Sequence, residues 1–306
     1  MSGRKDSLMP WFKGNLHNHT NLSDGDSPPG EVARWYDDHG YDFLVISDHN
    51  VRFPPEVLQA ELRAEGRHLL LIPGEELTTW WSGPERTYAL HVNGYGTSVT
   101  HGEADGGSVS AILQRMVDRV VTDGGLASVN HPNFWESITW QEIAALEELT
   151  FLELYNGHHL AANEGTPSQP PMEQVWDLVL GQGRRVWGLA VDDAHDFQSL
   201  GADRANPGRG WVEVAADAQD AESILAALGR GLFYASTGPS LLGLSIEGGA
   251  LLVVADRPSQ VEFIGDGQLV EVVSGEEARF PRGRWAYLRA RVVNELGVAW
   301  SQPQKE

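Results

Sequence analysis

The chain has 306 residues and a formal net charge of −21, from 22 lysines and arginines against 43 aspartates and glutamates. That length accommodates one large domain with a small appendage, and that charge opposes binding to a nucleic-acid backbone or an anionic membrane. Cysteine is absent, which excludes disulfides, thiolate metal ligands and a cysteine nucleophile.

In chain order, short apolar runs alternate with helix-like stretches from residue 11 to about 240. "WFKGNLHNH" predicts a strand, and "PPGEVARWYDDHG" a helix bounded by proline and glycine. "YDFLVISDHN" (strand), "PPEVLQAELRAEG" (helix) and "HLLLIPGEE" (strand) follow. "YALHVNGYG" predicts a strand, "VSAILQRMVDRVVTDGG" an amphipathic helix and "LASVNHP" a strand. The pairs "TWQEIAALEEL" with "FLELYNG", "PMEQVWDLVLGQG" with "RVWGLAVDDAH", and "GRGWVEVAA" with "DAESILAALGRG" complete the series. Alternating β and α units predict a parallel sheet. Polar groups end nearly every strand, as in "HNH", "SDHN", "GEEL", "HVN", "NHP", "YNG" and "DDAH". In a barrel those ends converge on one face, so an α/β barrel of about seven units is expected over 11–240. Beyond residue 240 the runs shorten and glycine, proline and aspartate interrupt them, which predicts a small antiparallel β appendage over 241–306.

The strand ends carry the chemistry. His17 and His19 are two apart, so on a strand both imidazoles face one way and can grip one cation. Asp24, Asp48, His49, His91, His131, Asp192, Asp193 and His195 stand in comparable places. Taken singly, each has an ordinary alternative as a turn residue or a satisfied core histidine. As a set on one barrel face they point to a multinuclear site for Zn, Mn or Fe, because imidazole and carboxylate suit these ions. Glu75 and Glu76 stand side by side in "GEEL", and composition and strand parity leave open which one belongs to the site. His39, His68 and His101 lie at a helix end, a strand start and a loop, away from this pattern, whereas His158 and His159 follow a site-facing strand.

The motifs "LHNHTNLSDG", "ISDHN", "PGEEL", "HVNGYG", "NHPNF" and "VDDAHD", in this order, resemble the PHP (polymerase and histidinol phosphatase) family over roughly residues 12 to 200. "ALGRGLFYASTGP" and "VNELGVAWSQP" resemble its CehA/McbA-type branch. The resemblance implies a distorted (β/α)7 TIM-like barrel with two to three divalent metal ions. By motif, His17, His19, Glu76 and Asp193 would hold one metal, and Glu76 would bridge to a second held by His91 and His131. Asp24, His49 and His195 would hold a third. The PGxE spacing thus selects Glu76 over Glu75, and the DxH spacing selects Asp193 over Asp192. The implied chemistry is hydrolysis by a metal-bridged hydroxide, with no catalytic side chain beyond the ligands. A phosphoesterase acting on a small mono- or diester is expected. The branch resemblance implies a carbamate or carboxylic ester hydrolase as the alternative, and a non-catalytic metal-binding module is the third reading. Arg52, Asn156 and His158 are the candidate substrate contacts. The expected partner is a small molecule, not a nucleic-acid polymer or a membrane. The first residues, "MSGRKDSLMPWFKGN", lack a signal-peptide apolar core, and no apolar run matches a membrane helix, so a cytoplasmic protein is expected.

Overall fold

A computed structural model describes residues 9–83 and 86–304. Among the described residues six α-helices form where the apolar periodicity places them: α1 (Pro29–Asp38), α2 (Glu56–Ala64), α3 (Val109–Thr122), α4 (Trp140–Ala145), α5 (Met172–Gly181) and α6 (Ala221–Gly229). Their starts follow local chemistry. Ser108 and Asp220 accept backbone N–H groups at the N-caps of α3 and α6, and Thr139 with Glu142 forms a capping box at α4.

The strands β1 (Trp11–Asn15), β2 (Phe43–Ile46), β3 (Leu70–Ser82), β4 (Thr87–Tyr95), β5 (Leu126–Val129), β6 (Phe151–Asn156), β7 (Trp187–Val191), β8 (Trp211–Ala215) and β9 (Phe233–Ser236) form most of one hydrogen-bonded path. The path runs β9-β8-β1-β2-β3-β4-β5-β6-β7. It is mixed, not uniformly parallel as the βα alternation predicts. The pairs β1–β2, β2–β3, β5–β6 and β6–β7 are parallel, whereas β3–β4, β4–β5, β1–β8 and β8–β9 are antiparallel. The reason lies in the connections. No helix separates β3 from β4, so they join as a hairpin, whereas a parallel return needs a long crossover.

A closed barrel ladder is likewise not seen among the described residues. The segments just beyond β1 and β7 meet instead. Asn18 bridges Ala194, His19 N donates to Ala194 O at 2.8 Å, and Asp193 N donates to His17 O at 2.9 Å. These bonds bring the first and last parallel strands together at the level of the polar motifs.

Phe43, Val45, Ile72, Phe151, Leu189 and Val212 pack into one buried cluster with Phe233. Val32, Ala33 and Tyr36 of α1 seal against Leu44, Ile46 and Leu62. Gly74 shows why "PGEE" needs its glycine. A Cβ there would stand 2.4 Å from Val45 Cγ1 and 2.9 Å from Gly94 O. Pro73 and Gly74 do not disturb the register, since pairing runs unbroken from Gly74↔Tyr95 to Ser82↔Thr87.

The chain after residue 240 forms β10 (Leu241–Glu247), β11 (Ala250–Gly265), β12 (Gln268–Pro281), β13 (Leu288–Asn294) and β14 (Gly297–Ser301). All pairings among them are antiparallel, and β14 pairs with β9. Arg289, 2% exposed, grips the Asp177 carboxylate of α5 through Nε at 2.9 Å and Nη2 at 2.7 Å. Gln302 exchanges two hydrogen bonds with the backbone of Gly188 in β7.

A buried acid at the β1–β8 pair gives a pH-dependent stability. Glu213 stands opposite Lys13. Burial pushes its carboxyl up to about 7, against the opposing pull of Lys13. Because the folded value exceeds the unfolded one, the protonated acid's contribution is complete below about pH 4.5 and is lost as pH rises through 7. Glu213→Gln is expected to gain stability relative to the wild type between pH 5 and pH 8, by about 2 °C or more in Tm. Thermal unfolding at the two pH values checks this, and a constant difference refutes it.

Candidate metal centre

The strap that follows β1 positions the first two histidines. Asn18 N donates to Ser47 Oγ, Ser47 N donates to Asn18 O at 3.0 Å, and His17 N donates to Asn15 Oδ1 at 3.0 Å. Pinned on both sides, the strap keeps strand-like alternation, so His17 and His19 point the same way with Nε2 atoms 3.1 Å apart. Both Nε2 atoms lie 3.2 Å from Asp193 Oδ1. Asp193 itself sits in the left-handed backbone region at φ 50°, a cost that persists where surrounding structure over-determines it.

Glu76 is the hub. Its Oε1 lies 2.8 Å from His91 Nδ1, 3.4 Å from His17 Nε2 and 3.5 Å from His131 Nε2, and it accepts Asn130 Nδ2 at 2.8 Å. Its Oε2 lies 2.8 Å from His49 Nδ1 and 3.4 Å from His19 Nε2. Burial alone would raise this carboxyl, but the imidazoles of His91, His17 and His49 outweigh it and hold Glu76 well below the usual carboxylate range. Asp24, on the turn after the strap, closes the other side. It stands 3.4 Å from His195 Nε2 and 3.5 Å from each of His19 Nδ1 and His49 Nε2.

The nine residues singled out by motif are thus linked to one another by contacts of 3.5 Å or less, and all but His17 and His19 line one cavity. His91 arrives from an unexpected place. It lies in mid-strand opposite Thr78, not at a strand end, and reaches Glu76 because the β3–β4 hairpin continues past the sheet. Glu75 turns to the opposite face, as parity along an unbroken strand requires. It is nonetheless fully buried, and it accepts His101 N at 2.7 Å. Asp192 also turns away, accepting the backbone N–H groups of Gly208, Arg209 and Gly210 and the Tyr36 hydroxyl.

The three candidate substrate residues separate. His158 borders the cavity above the site. Burial pushes its imidazole down to about 4. Arg52 turns to the neighbouring loop, where its Nε donates to Thr97 O at 2.7 Å. Asn156 is 1% exposed, and its amide is spent on Glu153 Oε2 at 2.8 Å and Asp193 Oδ2 at 3.1 Å. Asn156 and Arg52 are thus placed to hold the protein's own groups, in contrast to the expected substrate contacts.

Glu153 is the participant that motif reading misses. Its Oε1 is 2.6 Å from His17 Nδ1, and its Oε2 accepts His131 N at 2.8 Å. The register of β6 shifts between Glu153 and Tyr155, so residues three apart share a face. The signal in the sequence was a charged residue inside the apolar run "FLELY". Asp48 and Asp26 hold the loops. Asp48 accepts Thr20 N, Thr20 Oγ1 and Ser23 Oγ, and Asp26 accepts Phe197 N and Gln198 N beside His195.

The donor set fits divalent cations. Ligand atoms of His19, Asp24, His49 and His195 lie within 4.8 Å of one another, and so do those of His17, His19 and Glu76 and those of His49, Glu76 and His91. Glu76 Oε2 is buried with no hydrogen-bond partner although imidazole nitrogens surround it. Buried carboxylates without hydrogen bonds are ordinarily paired or metal-bound. Nitrogen and oxygen ligands, with no sulfur, suit Zn, Mn or Fe.

No family model matches the chain. An 86-residue stretch, 28% of this chain and 28% of the relative's length, is 31% identical to the 5'-3' exoribonuclease Rnm of Escherichia coli (strain K12). Among solved structures the chain is similar to a two-domain protein from Bacteroides vulgatus ATCC 8482 containing a predicted PHP-like metal-dependent phosphoesterase. That likeness covers 99% of this chain and 100% of the other, with a TM-score of 0.55 and 14% identity. The lesion-specific endonuclease PfuEndoQ from Pyrococcus furiosus matches over 72% of this chain and 56% of its own, with a TM-score of 0.44 and 13% identity. The first structural likeness establishes a shared fold.

Proposed function

We propose that this chain, whose fold is PHP-like, is a divalent-metal-dependent hydrolase of small phosphate mono- or diesters. The observation that carries the reading is the convergence of six histidines on Glu76, Asp193 and Asp24, with His49, His91, His131 and His195 lining a cavity of about 500 Å³. In this reading the protein is organised as a distorted (β/α)7 barrel over 11–240 and a β extension over 241–306.

His17, His19, Glu76 and Asp193 would hold one cation, with Glu76 shared toward a second at His91 and His131. Asp24, His49 and His195 would hold a third. When bound, such ions lower the pKa of water from about 15.7 to about 7 and neutralise charge on the oxygen under attack. The chain's own residues fix the donors. Glu153 accepts from the far nitrogen of His17, Asn156 links Glu153 to Asp193, and Asn130 donates to Glu76. His158, neutral at pH 7 and accepting Leu160 N at Nδ1, carries its proton at Nε2 and borders the place where substrate would sit.

A carbamate or carboxylic ester hydrolase is the second reading, favoured by the aromatic wall of Phe134, Trp80 and Trp135. A small-molecule substrate accords with the charge of −21. A nucleic-acid substrate is tested directly by adding a short single-stranded RNA and DNA to the assay. Among the described residues no helix is long and apolar enough to cross a membrane.

Protein reconstituted with Zn, Mn or Fe is expected to hydrolyse p-nitrophenyl phosphate or bis-p-nitrophenyl phosphate, and His17→Ala is expected to abolish that turnover. Hydrolysis of an aryl carbamate alone would replace this reading with the second. Bound metal without turnover of any of these esters or nucleic acids would favour a non-catalytic module.

A further inference from the structure

The walls of the cavity decide more than its floor. Among the described residues that line it, none is lysine or arginine. Arg86, Arg209 and Arg52 do not line it either; Arg86 Nη2 donates to Glu136 O, Arg209 to Gly157 O and Gly201 O, and Arg52 Nε to Thr97 O. Apart from His158, the neutral polar side chains in the wall donate or accept within the protein. Asn50 exchanges hydrogen bonds with the backbone of Thr78, Thr78 Oγ1 pairs with His49 Nδ1, and Ser137 Oγ donates to Pro132 O. An anionic oxygen facing these walls would find few donors.

What the walls offer is aromatic surface. Trp80 is 60% exposed and Trp135 is 52% exposed, yet they come from different elements and border the same cavity with Phe134 and Ala89. Trp135 is not a loose surface residue. It sits at φ 52°, a genuine outlier for a bulky side chain, followed by Glu136 at φ 54°. The Glu136 side chain is held by Thr166 Oγ1 and Ser168 Oγ, and its carbonyl by Arg86. A strained backbone kept in place by three partners fits a functional constraint. It leaves an indole at the mouth of a cavity of small-ligand size.

We infer that this site accepts phosphodiesters carrying a flat aromatic ester group in preference to phosphomonoesters, and that Trp80 and Trp135 select the aromatic group. The inference rests on the phosphoesterase reading. A monoester is close to dianionic at pH 7, with a second pKa of about 6. A diester replaces one anionic oxygen with an ester oxygen whose substituent is apolar, which is what the walls can meet. In the hydrolysis a water oxygen bonds to phosphorus and the bond from phosphorus to the aryl oxygen breaks, leaving its electron pair on that oxygen. One water proton ends on the released phenol and the other stays on the new phosphoryl hydroxyl.

The test uses the metal-reconstituted full chain with methyl p-nitrophenyl phosphate and p-nitrophenyl phosphate. The diester is expected to show the higher kcat/KM, and Ala89→Lys is expected to shift the ratio toward the monoester by about tenfold, the size of one added charge contact. Trp80→Ala and Trp135→Ala are each expected to raise KM for the diester about three- to tenfold, with the Phe variants close to wild type. Calorimetric binding of p-nitrophenol to the metal-free protein should weaken by similar factors, which reads the aromatic wall without turnover. A monoester preference in the wild type, or Trp variants with unchanged KM and unchanged p-nitrophenol binding, would overturn the inference. Turnover of neither phosphate ester, with p-nitrophenol binding still dependent on the two tryptophans, would instead sink the phosphoesterase reading and with it the diester claim.

Discussion

Glu76→Ala is expected to empty the centre of metal and abolish hydrolysis together, whereas Glu75→Gln is expected to keep most of both. The two carboxylates are adjacent and equally buried, so burial does not separate them. Their surroundings do. Glu76 has ring nitrogens of His91, His49, His17, His19 and His131 within 3.5 Å, while Glu75 accepts the His101 backbone N–H. Losing Glu76 removes the charge around which five imidazoles are arranged, so the loss should exceed the roughly hundredfold that bounds outer-shell effects. Glutamine at 75 preserves shape and an acceptor for His101 N. Alanine there would leave that buried N–H unpaired, at about 1–3 kcal/mol, so Glu75→Ala should lower Tm without emptying the site. Metal content by elemental analysis and turnover of an aryl phosphate decide between the two. Metal retained in Glu76→Ala, or lost in Glu75→Gln, would reverse the assignment.

Glu153→Gln is expected to weaken metal binding by about tenfold and Glu153→Ala by nearer a hundredfold, the span known for outer-shell partners. Glu153 touches three parts of the site at once. It accepts from His17 Nδ1 at 2.6 Å, from His131 N at 2.8 Å and from Asn156 Nδ2 at 2.8 Å, and Asn156 in turn donates to Asp193. A carboxylate on the far nitrogen fixes the His17 ring so that Nε2 faces the centre, and it raises that nitrogen's basicity. Glutamine keeps the acceptor and loses the charge, while alanine loses both, so the order of the two variants is part of the prediction. Competition with a chelator gives the affinities, and thermal unfolding without metal separates a positioning effect from general destabilisation. Equal affinities for wild type and both variants would remove Glu153 from the centre.

Most of the elements were legible because they depend on local pattern. The six helices follow apolar periodicity and caps such as Ser108 and Asp220, which are properties of neighbouring residues. The direction of β4 was misread because alternation of β and α was extended across a gap that contains no helix. That error also misplaced His91, which reaches the centre along a hairpin instead of at a strand end. The roles expected for Asn156 and Arg52 changed for a different reason. Their partners, Glu153 with Asp193 and Thr97 O, are supplied by packing and hydrogen bonding that no spacing encodes.

By itself the sequence determined the chemical inventory: a chain without thiols, with histidines and carboxylates at fixed offsets and a formal net charge of −21. Those offsets suffice because alternation along a strand fixes which neighbours share a face, as His17 and His19 do. Only the tertiary structure decided which groups meet. A shift of register in β6 turned Glu153 and Asn156 to one side, and an unbroken ladder turned Glu75 and Glu76 to opposite sides. Register is a property of paired strands, and one added residue reverses every side chain beyond it, so the doublet in "GEEL" was resolved by β4, not by its own letters.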